Sequence, residues 1–126
     1  MYDPDCPFCH IARGQVVLEN PHATAVYDLF PVTPLHMLII PKRHEADYFE
    51  LSGEEHASCT ELLRLARRHI LHRDRTVIGF NMGVNAGEAA GQTIFHCHIH
   101  LIPRRQGDSE NPKGGVRGVI PSRQHY

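Results

Sequence analysis

The stretch Gly91-Gln92-Thr93-Ile94-Phe95-His96-Cys97-His98-Ile99-His100-Leu101-Ile102-Pro103 holds the residues best able to do chemistry. Its histidines alternate with Cys97 and Ile99, the period of a β-strand. In a strand, His96, His98 and His100 project from one face, about 6.5–7 Å apart. Phe95, Cys97, Ile99 and Leu101 project from the other face, which can be buried. Pro103 lacks an N–H for the ladder and predicts the strand's end. Such a row of imidazoles offers nucleophiles that are neutral near pH 7. It also offers ligands, so a His-x-His pair joined by a third histidine is an alternative catalytic zinc site.

Two other groups bear on the choice. Asn81 to Thr93, just upstream, is rich in glycine, alanine and asparagine. Small residues let backbone N–H groups approach a phosphate, and hydroxyl or amide side chains add donors. Near the start, Cys6-Pro7-Phe8-Cys9 is a Cys-x-x-Cys, readable as half of a zinc site or as a redox dithiol. A glutaredoxin-like dithiol follows a first β-strand, whereas only turn-prone residues precede this one. Zinc is the better reading, and it needs two further ligands from elsewhere.

The elements that must position these groups are legible. Pro7 and Gly14 bracket a short N-terminal helix. Gln15–Glu19 and His22–Asp28 read as strands joined by Asn20-Pro21. Asp28 ends the second, where its default role is that of a turn residue. Leu35–Ile40, interrupted only by His36, reads as a buried central strand stopped by Pro41, with His44 just beyond it. Ser52-Gly53-Glu54-Glu55 is a capping box. Behind it Cys59, Leu62, Leu63, Ala66 and Ile70 form one helical stripe, so a long helix over about 52–72 covers a sheet face. Cys59 belongs to that core. Thr76–Asn81 reads as a further strand. Residues 105–126 are a polar tail, expected to be mobile or to pack as extended chain.

At 126 residues, 41% hydrophobic and 21% charged, the chain reads as a single globular domain. A net charge of −1 provides no broad basic face for nucleic acid or an anionic membrane. No apolar run approaches the ~20 residues that span a bilayer. The acidic start, Met1-Tyr2-Asp3-Pro4-Asp5, lacks the features of a signal peptide, so a cytoplasmic location is expected. The compositional oddity is 11 histidines.

Asn85-x-Gly87, Gly91-Gln92-Thr93 and His96-x-His98-x-His100 together resemble the histidine triad (HIT) family of nucleotide hydrolases and transferases. The similarity runs from the Cys-x-x-Cys through Asp28 and Pro41-Lys42-Arg43-His44 to the triad. Gly-Gly-Val-Arg-Gly-Val-Ile-Pro in the tail is similar to a bacterial branch. The resemblance implies an α+β fold with a five-stranded antiparallel sheet, and a homodimer acting on a nucleoside phosphate, often a purine one. It implies His98 as nucleophile, with His100 and Thr93 at the phosphate and leaving group. Asn85 and the backbone around Gly91 and Gln92 would complete that pocket. It places Asp28 on the ribose hydroxyls and Phe8, Val26 and Leu29 around the base. In zinc-bearing members Cys6, Cys9, His44 and His96 hold a structural metal. Dinucleoside polyphosphates and nucleoside phosphoramidates both fit as substrates. The alternatives are a nucleotide-binding regulatory module with little turnover and a Cys-x-x-Cys thiol oxidoreductase.

Overall fold

Ser52 starts the one long helix, α1 (Gly53–Arg73), by the expected reciprocal cap. The Glu55 N–H donates to the Ser52 hydroxyl at 3.1 Å, and the Ser52 N–H donates to the Glu55 carboxylate at 2.8 Å. The computed structural model describes residues 2–126. Its strands are β1 (Val16–Glu19), β2 (Ala23–Tyr27), β3 (Met37–Pro41), β4 (Val77–Gly83) and β5 (Ile99–Arg105). They form one antiparallel sheet in the order β1-β2-β3-β5-β4. The expected α+β architecture of five strands and one long helix is present. Among the described residues no helix is long and apolar enough to cross a membrane.

The two faces of the sheet are covered differently. Cys59, Leu62, Ala66 and Ile70 of α1 pack on Ala23, Ala25, Met37, Ile39, Ile99 and Leu101. The alanines of β2 let the helix come close. On the opposite face the hydrophobic side chains packed on Val26, Leu38 and Ile40 are Phe8 and Ile11 from the N-terminal segment. Burial of about 25 cal/mol per Å² makes the helix side the main source of stability. The thinly covered side is left free for a site.

Glu55 has a second task. Both its oxygens accept from Arg43, Nε to Oε2 and Nη2 to Oε1 at 2.9 Å each. The Arg43 guanidinium, helped by the Ser52 amide, holds this carboxyl down at about 2. The start of α1 is thereby clamped to Lys42-Arg43-His44, the segment that leaves β3.

Five local expectations are corrected. Residues 7–10 form successive turns, with the Cys9 N–H on the Cys6 carbonyl at 3.1 Å, followed by a 3-10 turn at Arg13–Gln15. No N-terminal α-helix forms; so short a segment is a poor nucleus, and both cysteines converge on one point. The last strand starts only at Ile99, so His96 and His98 lie just before the ladder. Phe95, expected on the buried face, is 49% exposed. Pro103 lies inside β5, opposite Phe80, instead of ending it. Its carbonyl accepts the Thr33 hydroxyl at 2.6 Å on the side where β3 has already run out, so the missing N–H costs no ladder bond. The tail folds into 3-10 turns at Gly115–Val119 and Pro121–Arg123, the first against β4, so it does not pack as extended chain.

Candidate active site

A row of paired positions crosses the thinly covered face. Val26 lies opposite Leu38, Leu38 opposite His100, and His100 opposite Gly83. Gly83 brings no side chain, and a Cβ placed there would meet nothing within 4 Å. His100 therefore borders open space. One step along, Asp28 donates its N–H to the His36 carbonyl at 2.9 Å, which sets Asp28 and His36 beside the row. Leu35 turns the chain into β3 with a φ of 73°, a strained conformation for a non-glycine residue immediately before His36.

Hydrogen bonds fix the ring tautomers. His98 donates Nδ1–H to the His96 carbonyl at 2.9 Å, which leaves Nε2 with a free lone pair. His36 accepts the Val32 N–H on Nδ1 at 3.0 Å, so its proton sits on Nε2. That Nε2–H points at His100 Nδ1, 3.0 Å away. His100 must then carry its own proton on Nε2. Burial pushes both His36 and His100 below the usual imidazole range; the charge of Asp28 opposes this in each case. The His98 and His100 rings stand 5.2 Å apart, and Phe8 packs edge-on to His98 at 5.0 Å.

His96 points elsewhere. Its Nε2–H donates to the Pro41 carbonyl at 2.7 Å, so Nδ1 is the free atom. That nitrogen lies 3.4 Å from Cys6 Sγ, 3.6 Å from Cys9 Sγ and 3.3 Å from His44 Nδ1. Cys9 Sγ lies 3.4 Å from His44 Nδ1. A tetrahedral zinc sets N···N edges of ~3.3 Å and S···N edges of ~3.6 Å, from Zn–N and Zn–S lengths of about 2.0–2.1 and 2.3 Å. These four distances already match those edges, all four donors lie within 4.8 Å of one another, and the Pro41 carbonyl is the outer partner that a metal-bound histidine needs.

A family model described as the HIT domain matches residues 11–107. The chain belongs to the HIT family. An uncharacterized HIT-like protein of Saccharolobus solfataricus is 32% identical over 96% of this chain and 89% of its own length. An Arabidopsis thaliana adenylylsulfatase, HINT3, is 37% identical over 82% of this chain and 54% of its own. The crystal structure of a zinc-bound histidine triad family protein from Mycobacterium smegmatis superposes with a TM-score of 0.75. It is 32% identical and covers 85% of this chain and 80% of that one.

In this HIT protein the residues singled out by sequence fall into three places. Phe8, Val26, Asp28 and Leu29 line a cavity of about 480 Å³ together with Ile11, Phe30 and Ile94. Asp28, Asn85 and His100 line a second cavity of about 550 Å³. Cys6, Cys9, His44 and His96 form the metal-type cluster. Thr93 is exposed on the loop between them. Gly91 and Gln92 are occupied with the loop itself. Their N–H groups donate to the Glu88 and Gly87 carbonyls, and buried Gln92 bonds through its side chain to Gly87, Ala46 and Ile94. Gly91, at φ 94°, makes the turn that delivers Thr93.

His36 is the functional residue that sequence reasoning left without a role. The signal was there: one histidine breaking an otherwise apolar run. Asp28, His36 and His100 also lie close enough to hold a metal. Their chemistry argues otherwise, because His36 Nε2 carries the proton that the Val32 N–H forces onto it, and a protonated nitrogen has no lone pair for a metal.

Proposed function

We propose that this protein is a nucleotide hydrolase or transferase acting at the α-phosphate of purine nucleoside phosphates through a nucleotidyl-histidine intermediate. The observation that carries this reading is the bare Nε2 of His98, fixed by the Nδ1–H bond to the His96 carbonyl. Its lone pair forms the N–P bond while the P–O or P–N bond to the leaving group breaks, and that electron pair departs with the leaving group. His100 Nε2–H and Thr93 donate to the oxygens on which charge builds. Water then forms an O–P bond, the N–P pair returns to His98, and the proton of the water passes to solvent. Kinship with a relative named for adenylylsulfatase activity supports hydrolysis.

Turnover of a dinucleoside polyphosphate and of a nucleoside phosphoramidate, run side by side, is the test. Release of nucleoside monophosphate from either is expected, and binding without turnover of both would leave a regulatory module. The oxidoreductase reading has less support: Cys6 is buried, and both Cys6 and Cys9 face His96. We assign the cluster of Cys6, Cys9, His44 and His96 to a structural zinc. With four protein ligands such a site has no open position for Lewis-acid chemistry.

Asp28 is the ribose ligand in this reading. Its Oδ1 accepts the Phe30 N–H at 2.8 Å, its Oδ2 lies 3.5 Å from His36 Nε2, and the residue lines both cavities. A carboxylate left without its hydroxyl partner costs roughly 1–3 kcal/mol. A ribonucleotide substrate is therefore expected to exceed its 2′-deoxy form about 5- to 100-fold in kcat/KM; equal values would remove Asp28 from this role.

The homodimer is part of the same proposal. β4 is an edge strand whose Ile78 and Met82 are 70% and 56% exposed, an unpaired apolar border that natural sheets avoid leaving bare. Light scattering at micromolar concentration should give the mass of two chains, and the mass of one would refute it.

A further inference from the structure

Charge is nearly balanced over the whole chain but not along it. Residues 64–75 hold five arginines and one carboxylate, against a net charge of −1 for all 126 residues. Ion pairs occupy Arg13, Arg43, Arg104 and Arg105. Among the described residues Arg64, Arg67, Arg68, Arg73 and Arg75 have none. Asp74, the one carboxylate of the segment, is already engaged. Its Oδ1 accepts from the Thr76 N–H and hydroxyl, and its Oδ2 from Arg105. Thr76 and Arg105 hold that carboxyl down at about 2.

Helix chemistry explains only part of this. The C-terminal end of α1 favours cations, which accounts for His72 and Arg73 in its last turn. Arg64, Arg67 and Arg68 come earlier. Arg64 and Arg68 stand four apart on one face, where like charges oppose the helix. Burial, and then the charges of Arg73 and His72, push the His69 imidazole below its usual range, so the positive field is uncompensated at the neighbouring ring as well.

A hollow of about 470 Å³ lies at the end of this row. Exposed Arg68, His72 and Arg75 rim it, over a floor of Leu71 and buried Val77. Val77 is paired with Arg105 across the sheet. Arg105 directs Nε and Nη2 at Asp74, at 3.1 and 2.9 Å, and its Nη1 is buried without an acceptor. Among the described residues no other buried side-chain polar atom lacks a partner. An orphan guanidinium N–H beside a hollow rimmed by two more guanidiniums calls for an anion.

Spacing selects the kind of anion. Arg64, Arg68 and His72 recur every fourth residue, so the cationic row runs about 12 Å along α1 before Arg75 closes it. A lone phosphate would meet one or two of these groups, whereas a chain of phosphates meets the row. No aromatic side chain lines the hollow for the bases of a nucleic acid to stack on. The hollow lies on the helix side of the sheet, and the triad borders the other face.

We propose that Arg68, His72 and Arg75, with the orphan N–H of Arg105, form a second binding site, for a polyphosphate chain that is either free or carried by a nucleotide.

Inorganic tripolyphosphate, titrated by calorimetry into protein saturated with AMP at about 0.15 M salt, should bind once per chain with a Kd below about 1 mM. Arg68→Gln/Arg75→Gln should weaken it at least about tenfold, with Tm unchanged because both side chains are exposed. Arg123→Gln, at an exposed arginine of the tail, should change it by less than about twofold. ATP in place of tripolyphosphate separates the two sources. Equal affinity assigns the site to the chain itself; tighter binding that the double variant removes assigns it to a chain borne by a nucleotide. Absence of binding, competition with AMP, or an equal loss in Arg123→Gln overturns the site. A short single-stranded RNA that binds more tightly than tripolyphosphate, and is released by the same double variant, would replace the small ligand with a nucleic acid.

Discussion

His98→Ala is expected to lower kcat by at least about 10³-fold, roughly 4 kcal/mol of barrier, while nucleotide binding and fold persist. The reason is the division of labour among the triad. His96 has its Nδ1 among Cys6, Cys9 and His44, and its Nε2–H on Pro41, so no nitrogen remains for phosphorus. His100 has its Nδ1 facing the His36 Nε2–H and offers only a donor. His98 alone combines an acceptor holding one nitrogen with a second, unprotonated nitrogen that faces neither the Cys6, Cys9 and His44 cluster nor another imidazole. Loss of the single His100 donor should cost less, about 10²-fold with a polyphosphate leaving group. Wild-type protein quenched without acid should carry a nucleotide on His98 through a P–N bond stable to base and labile to acid. If His98→Ala retains kcat within about tenfold of wild type, covalent catalysis is the wrong mechanism.

What the sequence revealed depended on whether a feature is local. The capping box at Ser52 and the stripe from Cys59 to Ile70 are local, and both were legible in residue type and spacing. Alternation located β5 but not its limits. Whether Pro103 ends a strand depends on where the neighbouring β3 stops, and nothing near Pro103 records that. The three histidines alternate correctly for a strand, yet His96 turns into a cluster formed by residues over fifty positions upstream. His36 is the sharpest case. In sequence it interrupts an apolar run; only the Val32 N–H and His100, brought together by the β2–β3 turn and the sheet, give it a role. The tail was the least legible, because its glycines acquire meaning only from Gln124 and Asn81 pressing on them.

Purified without added metal, the protein is expected to hold one zinc per chain, and chelation should both destabilise it and slow catalysis. The four donors come from three separate places: Cys6 and Cys9 from the N-terminal turns, His44 from the segment after β3, His96 from the approach to β5. Without a metal to join them, two thiols and two imidazoles are held together only by contacts of 3.3 to 3.6 Å. Structural zinc contributes on the order of 10 kcal/mol in small peptides; here a separate core already folds, so several kcal/mol is the expected loss. The catalytic consequence follows from His96. The ring that would hold the metal shares a residue with the carbonyl that orients His98, so loosening the cluster loosens the proposed nucleophile. Cys9→Ser should therefore lower kcat by more than it raises KM, along with a drop in Tm. Thermal unfolding with and without chelator, paired with metal analysis, decides it. A zinc ratio near zero, with Tm and kcat indifferent to chelator, would leave the cluster as four side chains packed without a metal.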